Sequence, residues 1–199
     1  MEPITELRGH AVPLAISDVD TDQIIPSEWL KRVERTGFGE GLFSEWRQDP
    51  EFVLNKQQFV GSTILIAREN FGVGSSREHA VWALMDYGFR VVISPRFGDI
   101  FRNNSLKVGL LPVELSQQEV QTLLELVVKE PATEILVDLE SQRVSVPGAS
   151  LEFGFAIDPT AKARLLAGLD EIGISLTKEA KILDYEKRRP SWMPSLSVS

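Results

Sequence analysis

An α/β fold containing a parallel βαβ unit is the reading that the 199-residue sequence supports, and three of its segments carry it. The apolar runs Thr63-Ile64-Leu65-Ile66-Ala67 and Arg90-Val91-Val92-Ile93-Ser94 have the length and the β-branched content of buried strands. Between them, residues 75–87 are helix-like and are closed by Gly88, a glycine at the expected C-terminal stop. Strand, helix and strand in that order form a parallel βαβ unit, whose loops at the strand ends are favoured binding positions.

Before this unit, residues 11–60 show little periodicity and many turn formers. Gly37, Gly39 and Gly41 are closely spaced after the basic stretch Leu30-Lys31-Arg32-Val33-Glu34-Arg35. A long loop region is expected there, and such loops in compact domains are usually functional or disordered. After the unit, a third apolar run, Gly109-Leu110-Leu111-Pro112-Val113, leads into Ser116-Gln117-Gln118-Glu119, the Ser-x-x-Glu form of a capping box. The helix it opens places Val120, Leu123, Leu124 and Val127 on one face and stops before Pro131. Residues 134–146 read as a hairpin, and Leu151, Phe153, Phe155 and Ile157 alternate as in a half-buried strand. Asp158-Pro159 supplies an N-cap and a proline at the first helical position, ahead of an inward face of Leu165, Leu166 and Leu169. A last short helix is expected from about Lys178 to near Pro190, and the tail, about residues 190–199 and ending WMPSLSVS, is expected to be mobile. One domain over residues 1–199 is expected, without internal repeats.

Composition narrows the chemistry. The formal charge of −8 leaves no general footprint for a phosphate backbone, so nucleic acid is not an expected partner and any bound anion needs a local basic cluster. With no cysteine, the chain has no disulfide, no thiolate nucleophile and no cysteine ligand for a metal cluster; two histidines are too few for a histidine-rich metal site. No window is long and apolar enough for a membrane span, and the start MEPITELRGH lacks the basic and then apolar regions of a secretory signal. A soluble, cytoplasmic protein is expected.

The stretch Phe71-Gly72-Val73-Gly74-Ser75-Ser76-Arg77-Glu78-His79-Ala80 stands between the first strand and its helix. Gly72 and Gly74 allow a tight turn, Ser75 and Ser76 fall at the expected N-cap and first turn, and such a helix start attracts anions. Arg77 carries the planar fork suited to two-point contact with a carboxylate. The structural alternative is a capped helix with a solvated arginine. A nucleotide phosphate loop would need a lysine followed by Ser or Thr after a longer glycine spacing, a dinucleotide site a third glycine, and a nucleophile elbow Gly-x-Ser-x-Gly; none of these is present. A small carboxylate substrate with a serine near it remains.

FGVGSSREHA resembles the signature of the swivelling β/β/α domain of the aconitase superfamily, and most closely that of the small subunits of 3-isopropylmalate dehydratase, or isopropylmalate isomerase. Three further stretches agree in order: Asp18-Val19-Asp20-Thr21-Asp22-Gln23-Ile24-Ile25-Pro26; Phe97-Gly98-Asp99-Ile100-Phe101-Arg102-Asn103-Asn104 with Gly109-Leu110-Leu111-Pro112; and Leu165-Leu166-Ala167-Gly168-Leu169-Asp170-Glu171-Ile172. The resemblance implies that Ser75 is the base taking a proton from substrate carbon, that Arg77 binds substrate carboxylate, and that Ser76 contacts carboxylate or supports the turn. It makes Asp22 a polar active-site residue of the substrate-binding set, and Gln23, where aconitase itself has histidine, points to the isopropylmalate branch. The loop of about residues 28–60 falls where family members recognise the variable side of the substrate, which brings in Leu30, Lys31 and Arg32, with Leu30 or Val33 as the apolar contact. The alternative there is a solvated basic face.

The implied reaction removes water from 2-isopropylmalate and adds it back to give 3-isopropylmalate, in leucine biosynthesis. Without cysteines, the family's four-iron four-sulfur cluster is expected on a large subunit, so this chain, a hydro-lyase subunit, is expected to be active only in a heteromer with that partner. Alternatives are the small subunit of a homoaconitase or of a citraconate or methylmalate hydratase, and a non-catalytic carboxylate-binding module. His79, four residues from Ser75, is placed for contact with it, but a structural role is expected, packing under the loop or hydrogen-bonding backbone; Trp29, Trp46, Trp82 and Trp192 are expected to serve the core or a subunit interface.

Overall fold

The computed structural model describes residues 1–31, 36–74, 77–190 and 192–193. Its strands are β1 (Glu6–Leu14), β2 (Ile64–Ala67), β3 (Val91–Ser94), β4 (Leu111–Glu114), β5 (Glu134–Asp138), β6 (Arg143–Val146) and β7 (Leu151–Gly154). They form one seven-stranded sheet in the order β4-β3-β2-β1-β5-β6-β7. From β4 to β1 the neighbours run parallel, and from β1 to β7 antiparallel.

β1 joins the two halves. Its outer part, Glu6 to His10, pairs antiparallel with β5, while Ala11 to Leu14 pair parallel with β2. Burial follows the change of partner: the outer part alternates, as a sheet with one solvated face does, and the last four residues are all buried. Residues 11–14 are therefore strand, a correction to the loop expected from residue 11 onward. Two patterns meet inside one strand and Pro13 interrupts the run, so no single periodic template fits the sequence there.

The expected βαβ unit is present as β2, the helix α2 (Glu78–Tyr87) and β3, with β2 and β3 paired in parallel and buried throughout. A second helix, α3 (Asp99–Val108), links β3 to β4; it shows little apolar periodicity because Phe101 and Ser105 alone of its residues are fully buried. Helix α4 (Gln117–Lys129) packs against β1, β2 and β3 through Val120, Leu123, Leu124 and Val127, each stabilising the fold by about 1.5–3 kcal/mol relative to exposure. Its capping box is formed: Ser116 N–H donates to Glu119 Oε2 at 2.8 Å, and Glu119 N–H donates to Ser116 Oγ at 3.3 Å. The hairpin of β5 and β6 follows as expected, and Asp158 caps the next helix, Pro159–Ala167, by accepting from the N–H groups of Thr160 and Ala161.

From residue 27 to residue 59 the described chain forms only short 3₁₀ turns, which fits a loop region. This loop is nonetheless anchored: Phe38, Leu42 and Phe43 are fully buried, and Phe38 N–H donates to Asp86 Oδ2 at 3.0 Å. Trp29, Trp46 and Trp82 pack against the core, whereas Trp192 is 77% exposed. The last short helix is present as expected at Glu179–Lys187, and a further short helix, Glu171–Leu176, precedes it. Most of the tail, residues 191 and 194–199, lies outside the described residues. Among the described residues no helix is long and apolar enough to cross a membrane.

Ser116→Ala removes one half of the α4 capping box, and it is expected to cost about 1 kcal/mol. In a chain of this size that corresponds to a fall in melting temperature of about 2–4 °C, to be read by thermal unfolding; an unchanged transition would show that the cap contributes nothing.

Candidate active site

Three loops leave the carboxyl ends of β1, β2 and β3 and keep their parallel neighbours after the strands end. Arg68 N–H donates to Ile16 O at 3.2 Å, Asp18 N–H to Glu69 O at 2.9 Å, Gly72 N–H to Val19 O at 2.7 Å and Thr21 N–H to Val73 O at 3.1 Å. On the other side, Phe71 N–H donates to Arg96 O at 3.0 Å and Gly98 N–H to Phe71 O at 2.9 Å. The buried Ser94 hydroxyl sits between the loops, 2.7 Å from Arg68 O and 2.9 Å from Arg96 O.

The turn in the middle requires its glycines. Gly72 and Gly74 have φ of +74° and +86°, where a side chain would be strained. Gly98 has an ordinary φ, but a Cβ there would lie 2.3 Å from Gly72 O, so its need for glycine is purely the close approach of two backbones.

Helix α1 (Thr21–Ile24) is a single turn fixed by a capping box: Gln23 N–H donates to Asp20 Oδ1 at 2.8 Å, and Asp20 N–H donates to Gln23 Oε1 at 2.9 Å. Gln23 is thus engaged in holding α1, and Asp22 is presented on its exposed side. Arg77 comes from the neighbouring loop, and its Nη1 donates to Asp22 Oδ1 at 2.6 Å. Residues 55 positions apart in sequence therefore meet as an ion pair, with side-chain exposures of 28% for Arg77 and 55% for Asp22.

Helix α2 begins later than its sequence pattern predicts. Arg77, not Ser75, is its N-cap, with extended φ of −126° and no capping bond from its own side chain; Ala80 N–H donates to Arg77 O to start the first turn. The extended backbone of Arg77 sets the start of the helix at Glu78, which local propensity does not reveal. Glu78 does lie in the first turn, where a carboxylate favours the dipole. His79 packs as expected, its ring 5.4 Å from that of Phe38 in the long loop and 4.7 Å from that of Trp82.

An open pocket of about 510 Å³ lies beside the ion pair, within the range of small-molecule sites. Asp20, Asp22, Glu28 and Glu45 contribute to its wall, and Arg77 is the only cation among the described residues lining it. Glu28 and Glu45 are absent from the sequence-derived candidates; Glu45 arrives through the anchored loop, where Phe43 N–H donates to Ile24 O at 2.8 Å. Leu30, half-buried, and Lys31, exposed, belong to the 3₁₀ turn Ser27–Lys31 and do not line this pocket. Ser75, Ser76, Arg32 and Val33 lie outside the described residues. No group of three or more His, Cys, Asp or Glu side chains among the described residues could hold a metal ion, and with no cysteine the chain's donor set does not fit an iron–sulfur cluster.

Comparison with known proteins follows the same residues. The family model described as the Aconitase C-terminal domain matches residues 1–118, and the model LeuD_N matches residues 121–159. The 3-isopropylmalate dehydratase small subunit of Acidothermus cellulolyticus is 57% identical over 199 residues, covering 100% of both chains. That of Rubrobacter xylanophilus is 56% identical over 194 residues, covering 98% of each. A crystal structure of 3-isopropylmalate dehydratase from Methanocaldococcus jannaschii shares the fold, with a TM-score of 0.66 at 24% identity, covering 92% of this chain and 99% of that one.

Gly98→Ala places a methyl group against the Gly72 carbonyl, so the two loops must separate. A loss of about 1–3 kcal/mol is expected, as for other overpacked sites, read as a lower urea midpoint with unchanged slope; an unaltered midpoint would mean that the approach is easily relaxed.

Proposed function

The chain belongs to the family of 3-isopropylmalate dehydratase small subunits, within the aconitase superfamily, and we propose that it forms half of an active site that isomerises 2-isopropylmalate to 3-isopropylmalate in leucine biosynthesis. The observation that carries this reading is Arg77: a half-buried guanidinium held beside an open pocket, in a chain that matches small subunits from end to end. The relatives compared carry the isopropylmalate name, and homoaconitase and the citraconate or methylmalate hydratases are not favoured.

Water leaves as a proton from one carbon and a hydroxyl from its neighbour, giving an alkene, and hydration in the opposite sense gives the isomer. Ser75, which follows the glycine turn in sequence, takes the proton from substrate carbon. Arg77 holds a substrate carboxylate, fixing the carbon that loses the proton; a planar guanidinium does this in two-point contact. Ser76 supports the same carboxylate or the turn. Leu30 or Val33, with Lys31 and Arg32, meets the variable side of the substrate, from a recognition loop of about residues 28–60 in a single swivelling domain of residues 1–199.

The four-iron four-sulfur cluster belongs to the large subunit, since this chain has no thiolate to offer, and the heteromer works in the cytoplasm. A pocket with four carboxylates and one described cation is poorly suited to retain a dicarboxylate on its own, which supports the need for the partner.

With a large subunit and under anaerobic conditions, the reconstituted enzyme is expected to turn over 2-isopropylmalate and the chain alone is not. Citrate and homoaconitate serve as competing substrates, and turnover of neither these nor isopropylmalate would favour a carboxylate-binding module. Ser75→Ala is expected to lower kcat by about 10²–10⁴ with the heteromer intact, the usual range for a general base. Near-normal turnover would remove Ser75 from that role. Arg77→Lys is expected to raise KM by roughly ten- to a hundredfold, equivalent to about 1.5–3 kcal/mol for a charged hydrogen bond, and an unchanged KM would count against the clamp.

A further inference from the structure

The ion pair between Asp22 and Arg77 uses the guanidinium in an uneven way. The contact is single-point: Nη1 of Arg77 donates to Oδ1 of Asp22 at 2.6 Å, and among the described residues no other hydrogen bond is recorded for the Arg77 side chain. A guanidinium has five N–H donors in one plane, so fixing one of them sets the direction of the rest. Both members are anchored through backbone. Asp22 lies on the turn capped by Asp20 and Gln23, and that turn is tied to the glycine loop by Thr21 N–H to Val73 O at 3.1 Å. Arg77 is the N-cap of α2 and leaves that helix start uncapped by its side chain, which turns to Asp22 instead.

We propose, resting on the functional reading above, that Asp22 is a positioning residue: it does not touch the substrate but holds Arg77 by one N–H so that the rest of the fork faces a substrate carboxylate in the pocket. A carboxylate at Asp22 repels a carboxylate ligand and attracts the guanidinium that binds it, so direct contact with the ligand is the unfavourable arrangement. The single-point geometry also leaves the Nε and Nη2 edge for two-point binding, which a bidentate pair with Asp22 could take away. Asp22 is not a member of the Asp20–Gln23 capping box, so replacing it leaves α1 its cap.

Two measurements test the assignment. In the reconstituted heteromer, Asp22→Asn is expected to raise KM about tenfold with kcat within about twofold, the pattern of lost binding shared by ground and transition states. Combined with Arg77→Lys, which already lacks the fork, it is expected to add less than twofold. Multiplying effects in the double variant, or a large loss of kcat with KM unmoved, would overturn the proposal. In the isolated chain, nuclear magnetic resonance of the Arg77 guanidinium protons reads the same contact without any substrate: their exchange with solvent is expected to quicken severalfold in Asp22→Ala, with the fold retained. Equal exchange in both chains would overturn the positioning role whatever the substrate proves to be. An enzyme that turns over no dicarboxylate, with Arg77 exchange still sensitive to Asp22, would instead overturn the functional reading and leave the geometry standing.

Discussion

The backbone hydrogen bonding of β1 is the constraint from which the rest of the molecule follows. A strand must pair its N–H and C=O groups, and β1 does so with β5 along Glu6 to His10 and with β2 along Ala11 to Leu14. The same requirement persists past Leu14, where the chain leaves the sheet but its backbone still pairs with the loop after β2 through Ile16, Asp18, Val19 and Thr21. That pairing brings α1 against the glycine turn. The relative position of Asp22 and Arg77 is therefore a consequence of sheet register carried into the loops, and the ion pair completes an arrangement that the backbone has already made.

Charge at the site is organised around a local exception to a global trend. The chain carries a formal charge of −8, and its pocket wall repeats that excess with Asp20, Asp22, Glu28 and Glu45. One guanidinium, 28% exposed and held by a neighbouring carboxylate, supplies the described positive charge there. Partial burial strengthens its interaction with an anion relative to a fully solvated arginine, because surrounding protein screens less than water. The acidic wall in turn disfavours anions, so the guanidinium is the one described group there that attracts them.

Several features are legible in the sequence because they are local. The Ser116–Glu119 box, the Asp158 cap and the apolar face of α4 depend on spacings of a few residues, and each forms as read. The Asp20–Gln23 box is equally local yet escapes notice, since the turn it opens has four residues and no periodic apolar face. The start of α2 is misjudged for the opposite reason: residues 75–87 have a helical pattern, but the positive φ of Gly74 and the extended Arg77 delay the helix to Glu78. Residues 11–14 read as loop because Pro13 and a change of burial pattern hide a strand that parallel pairing with the distant β2 and full burial stabilise.

By itself the sequence determines the fold class, the family and the candidate chemistry, since these rest on residue types in order along the chain: glycines at 72 and 74, an arginine at 77, an aspartate at 22 and no cysteine anywhere. It cannot say that Arg77 and Asp22 are partners, that Gly98 yields space to the Gly72 carbonyl, or that Glu45 joins the pocket wall. Arg77 and Asp22 are 55 residues apart, Gly98 and Gly72 are 26 apart, and Glu45 shares a wall with Asp22 from 23 residues away, so no local rule encodes these arrangements. Only the three-dimensional pairing of loops beyond the strand ends selects them, because a contact of this kind costs chain entropy that many other interactions must jointly offset.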